Sequence, residues 1–219
     1  MDKFLSRVIL ILTLFLIINI ETYSQNEYQP ILHINKLLKI DTIACKTINI
    51  GKIQITSGKV VACDPLSKPD CLPFYYNFPK GIYPVEIVIA DLEYDQRIIM
   101  ASILFSNDSI DNWKYLGYTN PKESSENLGY FVESGVGSFM DLDVCNKIDT
   151  HYQYNEKFYD YLMNEMRKNY KHTREWCVIS VDKQNIAIFS AGYGDGMYRS
   201  YIGFNKDGNM CRLSTSFLE

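Results

Sequence analysis

Three stretches of this chain set an acidic side chain against glycine-rich backbone. They are Thr56-Ser57-Gly58-Lys59-Val60-Val61-Ala62-Cys63-Asp64-Pro65, Glu133-Ser134-Gly135-Val136-Gly137-Ser138-Phe139-Met140-Asp141 and Ser190-Ala191-Gly192-Tyr193-Gly194-Asp195-Gly196-Met197-Tyr198. Glycine lets a backbone take positive φ and come close to another group. A carboxylate beside such a turn can cap exposed amides, hold a cation, or act as acid or base. Two carboxylates flanking a glycosidic bond, roughly 5–5.5 Å or 6.5–9.5 Å apart, hydrolyse it. On that reading Asp195 and Asp64 are acid and base or nucleophile, Tyr198 or Glu133 assists, and Asp141 is a further candidate.

Each segment also has a structural reading. Asp64 precedes Pro65 and starts a turn. Ser138 and Asp141 have the spacing of a capping box ahead of a short helix through Val144. Gly194-Asp195-Gly196 suits a tight or bulged hairpin connection, although three glycines in five residues exceed what a simple hairpin needs. Gly135-Val136-Gly137 could hold an anion on exposed amides. It lacks the Gly-x-Gly-x-x-Gly turn of a dinucleotide site.

Other chemistries find little support. There is no Gly-x-Ser-x-Gly nucleophile elbow. His33, His151 and His172 lie in polar surroundings and show no ligand spacing with the cysteines, and no Cys-x2-Cys pair exists. The Asp-rich loops lack the pattern of a calcium loop. No metal and no cofactor is expected. Tyr198, Ser200, Ile202 and Phe204 share one strand face, and Met197, Arg199 and Tyr201 the other. One face belongs to the core, and the other offers an aromatic surface to a protein or glycan partner.

The elements that must position these residues read mainly as strands. Ile48–Ile50 and Ile53–Ile55 alternate apolar and polar residues, Ser57-Gly58 turns, and Lys59–Cys63 returns as a second strand. Residues 64–80 hold four prolines and form a loop. Tyr83–Asp91 and Arg97–Phe105 suggest a hairpin, followed by short strands at Trp113–Tyr118 and Gly129–Val132 and a polar surface loop at 119–127. Phe158, Tyr161, Leu162 and Met166 give residues 155–170 one apolar helical face. Trp176–Val181 returns to strand, and Asn185–Ser190, Met197–Phe204 and Met210–Phe217 read as a C-terminal β-meander. The fold class expected is α+β, mainly antiparallel sheet with one long helix.

Six cysteines, Cys45, Cys63, Cys71, Cys145, Cys177 and Cys211, allow 15 pairings. Cys63 and Cys71 flank a short turn-rich loop and are the favoured pair, worth about 2–3 kcal/mol of unfolded-state entropy. The remaining cysteines can be further disulfides or buried thiols.

The N-terminus bears on where such disulfides form. Lys3 and Arg7 precede an apolar run from Val8 to Ile20, and Thr22 and Ser24 are small. This is the layout of a signal peptide over residues 1–24, too short for a confident membrane span. Residues 25–48 then lead into a single domain at 49–219. The first cysteine lies far beyond Gln25, so no lipid anchor is expected, nor a stable membrane span after cleavage. The expected location is secreted or periplasmic, where disulfides persist. The net charge of −4 is unchanged by cleavage, because Asp2 and Glu21 balance Lys3 and Arg7. No basic block points to nucleic acid.

In order along the chain, Thr56-Ser57-Gly58-Lys59 with Cys63-Asp64-Pro65, then Gly81-Ile82-Tyr83-Pro84-Val85, then Gly135–Asp141, then Ser190–Tyr198 carry a resemblance. Over about residues 50–217 the chain resembles the bacterial family known as domain of unknown function 4241 (DUF4241). It departs from that pattern at Glu133, where aspartate is commoner, and in its export signal and extra cysteines. The resemblance implies a bacterial source and one α+β domain, and supplies no reaction, cofactor or catalytic residue. The residues favour an exported, non-catalytic binding protein of the cell envelope or exterior, with immunity-type occlusion of a toxin as one version. The alternatives are an envelope hydrolase using paired carboxylates, and a structural domain without an identifiable site.

Overall fold

The computed structural model describes residues 43–67, 71–92, 94–118, 129–148 and 156–217. The expected signal segment 1–24 and the expected surface loop at 119–127 lie outside the described residues, as does the part of the leader around residues 31–38 where the sequence also suggests a short helix.

Among the described residues, twelve strands and two helices follow in order: β1 (Cys45–Ile55), β2 (Val60–Cys63), β3 (Gly81–Asp91), β4 (Gln96–Leu104), β5 (Asn112–Leu116), β6 (Tyr130–Val132), β7 (Val136–Asp141), α1 (Leu142–Lys147), α2 (Glu156–Arg167), β8 (Trp176–Val181), β9 (Gln184–Ser190), β10 (Gly196–Tyr198), β11 (Ser200–Phe204) and β12 (Met210–Ser216). They form an antiparallel six-stranded sheet in the order β1-β3-β4-β12-β11-β5, a four-stranded sheet β2-β7-β9-β8, and a ribbon of β6 with β10. The expected α+β class, dominated by antiparallel strands, is the observed one.

The two larger sheets face each other across the main core, where Ile53, Ile87 and Leu213 meet Phe139, Ala187 and Phe189. The outer face of the four-stranded sheet buries Val61, Met140, Ile179 and Ile188 under both helices, which contribute Val144, Leu162 and Met166. On α2, Phe158, Leu162, Met163 and Met166 turn inward, whereas Tyr161 is 42% exposed. The buried arc is thus displaced by one residue from the expected face.

Two expectations about connection change. The first two apolar stretches do form one strand, β1. Ile48 and Ile53 are five residues apart, an odd number, so a strict period of two would send them to opposite faces. A bulge between Asn49 and Gly51 resets the register against β3, and both pack on the main core. β2 does not return on β1 but crosses to pair with β7. The C-terminal run is not a single meander. β11 and β12 form the expected hairpin, but β9 lies in the other sheet, and the strand expected at Met197–Phe204 breaks at Arg199 into β10 and β11. The amide of Ser216 donates to Arg199 O at that step between ribbon and sheet.

The disulfide also differs. Cys71 pairs with Cys145 on α1, with Cα atoms 5.6 Å apart, and Cys63 is a buried thiol. Cys63 Sγ lies 3.7 Å from Ser138 Oγ across the β2–β7 pair. Beyond Cys63 the chain is held away by the bonds of Asp64, so closeness in sequence does not become closeness of the two sulfurs.

Candidate functional site

The four-stranded sheet brings the three glycine–acid segments side by side, because β2, β7 and β9 are consecutive neighbours in it. Asp64 follows β2, Glu133-Ser134-Gly135 precede β7, and Ala191–Asp195 follow β9, so these three connections share one end of the sheet. The Ala191 amide donates to Gly135 O at 2.9 Å and joins the last two. At the opposite end, Thr56–Lys59 enters β2 beside Asp141, the last residue of β7.

Asp64 is buried and accepts five hydrogen bonds. Its Oδ1 takes the amides of Leu66 and Ser67 at 2.9 and 3.2 Å and the Ser134 hydroxyl at 2.6 Å. Its Oδ2 takes the amides of Glu133 and Ser134 at 2.8 and 2.7 Å. Asp141 is also buried. Its Oδ1 accepts the Asp143 amide at 2.9 Å and so caps α1. Its Oδ2 accepts the amides of Thr56 and Ser57 and the Ser57 hydroxyl at 2.8–2.9 Å. A buried carboxylate without a cation needs such donors. Here they come almost wholly from turns that would otherwise leave amides unpaired.

This geometry revises the expected capping box. Asp141 is itself the N-cap, and Ser138 lies inside β7, donating its hydroxyl to Cys63 O at 2.8 Å. Gly135-Val136-Gly137 opens a strand rather than a helix, so it presents no helix terminus to an anion.

Asp64 and Asp141 do not converge as a hydrolytic pair. Val60 is the register partner of Asp141 and stands four residues before Asp64, a strand rise of about 13 Å. Among the described residues no three His, Cys, Asp or Glu side chains gather to hold a metal ion. Tyr198 is buried, and its hydroxyl donates to Ala191 O and Gly194 O at 3.1 and 2.7 Å, fastening the loop after β9. In that loop Gly192 has φ +50, and a Cβ there would stand 2.6 Å from Phe217 O. Gly194 has φ +113. The glycines serve loop shape.

Glu133 and Asp195 are different, for both are exposed. The ribbon's last pair is Gly196 with Val132, and Asp195 and Glu133 are the next residues of the two chains beyond it. The same ribbon turns Tyr130, Val132 and Tyr198 inward and leaves the cross-strand pair Phe131 and Met197 outward, 66% and 40% exposed. Tyr193 is 68% exposed, with the Arg97 guanidinium 5.1 Å from its ring centroid. Asp95 Oδ2 accepts from Arg97 Nε at 2.8 Å. Tyr201, expected on one strand face with Met197 and Arg199, is wholly buried against Val88 and Met100, while Met197 is exposed, so that face is neither core nor surface throughout. Phe131, Tyr193 and Arg97 were not singled out by the sequence reading. Alternation through Tyr130-Phe131-Val132 was the available signal for Phe131.

Two buried groups bound the chemistry further. Burial pushes the Cys177 thiol up to about 12, with Glu165 and Glu175 adding to the effect and Lys168 opposing it. A thiol so protonated is a poor nucleophile at neutral pH. Burial also raises the Tyr130 phenol, so it stays neutral.

A family model described as "Protein of unknown function (DUF4241)" matches residues 53–215. No curated protein and no solved structure matches the chain.

Proposed function

The chain belongs to the DUF4241 family, and we propose that it is an exported, non-catalytic binding protein of the bacterial cell envelope or exterior, acting by occluding a partner as immunity-type proteins do. One observation carries this reading. The buried acids of the glycine–acid segments, Asp64 and Asp141, spend their oxygens on backbone amides and hydroxyls. A general acid or base must instead reach a substrate proton. The exposed Phe131–Met197 pair supports a binding role, since outward strand positions are ordinarily polar. The Cys71–Cys145 disulfide and the apolar run at Val8–Ile20 agree with export.

Glu133 and Asp195 keep one hydrolytic reading in view, because they are exposed acids at one ribbon end. The deciding experiment incubates the purified, disulfide-bonded protein with bacterial peptidoglycan and measures released reducing ends, beside D195N and E133Q. The expected result is no release above buffer by any of the three. Release by the unaltered protein that is lost in D195N overturns the binding reading in favour of hydrolysis.

A further inference from the structure

The exposed end of the β6–β10 ribbon combines two features that a finished monomer surface rarely keeps together. The first is an apolar cross-strand pair, Phe131 and Met197, on the face opposite the buried Tyr130 and Tyr198. Tyr193 stands at the same end, on the loop that leads into β10. The second is a pair of exposed acids, Glu133 and Asp195, each the next residue of its chain past the last register pair Val132–Gly196. Like charges brought close together are destabilising. Among the described residues no ion pair reaches either of them. The base on this side, Arg97, is held by Asp95 and by the face of Tyr193. Arg199 lies past the other end of β10.

We propose that this face docks a protein partner that presents an arginine or lysine beside an apolar side chain. The base lies between Glu133 and Asp195, and the apolar group lies on Phe131 and Met197. The proposal rests on the binding-protein reading and names the partner's chemistry. Charge complementarity selects the occupant. A nucleic acid would bring phosphates to two carboxylates. A second copy of this chain, meeting the same face across a two-fold axis, would set four carboxylates together. A basic protein surface neutralises the pair, while desolvation of the apolar pair holds the complex.

The test pans a random-peptide phage library on the full disulfide-bonded protein, then measures the enriched peptides against E133K/D195K, the milder E133Q/D195N, and F131A. The expected peptides carry Arg or Lys next to Leu, Phe or Trp. They lose about tenfold or more in affinity on each variant and weaken as salt rises. Enrichment of acidic or neutral peptides, no enrichment, or basic peptides that bind all variants as well as the unaltered protein overturns the proposal. So does a dimer in sedimentation equilibrium that F131A dissolves. A natural protein complex that survives all three variants would leave the binding-protein reading standing and remove this face from it. Release of peptidoglycan ends would instead remove that reading itself.

Discussion

Asp64 and Asp195 show how one residue type in similar sequence surroundings takes opposite roles. Asp64 is a buried acceptor for four amides and a hydroxyl, and Asp195 stands in solvent. Removing a buried acceptor strands each donor that it satisfied. We expect Asp64→Ala to lower unfolding free energy by about 3 kcal/mol or more. Asp195→Ala should stay within about 0.5 kcal/mol. Urea unfolding followed by tryptophan fluorescence checks both, and equal losses would refute the brace assigned to Asp64. Asp64 before Pro65 was legible as a turn former, since Leu66 and Ser67 lie within reach of its own side chain. Its bonds to Glu133 and Ser134 were not, because they span about seventy residues of chain.

At the scale of elements, β2 is a short strand whose two ends are fastened by carboxylates, Asp141 at its entry and Asp64 at its exit. The disulfide adds a third tie, from the loop beyond Asp64 to α1 across a sequence separation of 74. Closing a loop of that size restricts the unfolded chain by about 4 kcal/mol in the chain-entropy model. Cys145→Ser should therefore cost about 2–5 kcal/mol, read as a fall in the urea midpoint with a steeper slope, because the unlinked denatured chain exposes more surface. Cys63→Ser tests the pairing, for it should leave the Cys71–Cys145 bond intact in a peptide map. Loss of that bond in the variant, or a map of the unaltered protein showing Cys63 joined to Cys71, would refute it. Strand and helix positions were legible from periodicity, as for β3, β4, β8 and α2. Partners were not. Ser57-Gly58 reads as a hairpin turn, yet the amides of Thr56 and Ser57 bond to Asp141 and send β2 into the other sheet.

For the whole molecule, export is the reading with the widest consequence, and it is directly measurable. Fusing residues 1–24 to a phosphatase that is active only outside the cytoplasm should give active enzyme in a bacterial host. The full chain recovered from that compartment should carry one disulfide and four free thiols, Cys45, Cys63, Cys177 and Cys211. An inactive fusion and a cytoplasmic chain would refute export. By itself the sequence determined the antiparallel α+β class, most strand and helix positions and the family, because periodicity, turn chemistry and motif order are local properties of the chain. Only the tertiary structure decided which strands share a sheet, that Cys71 meets Cys145, that Tyr201 is buried, and that Phe131 pairs with Met197 next to the exposed Glu133 and Asp195. Those outcomes depend on contacts between distant segments. The backbone donors of one turn choose a carboxylate from another strand, and that choice places every neighbouring side chain.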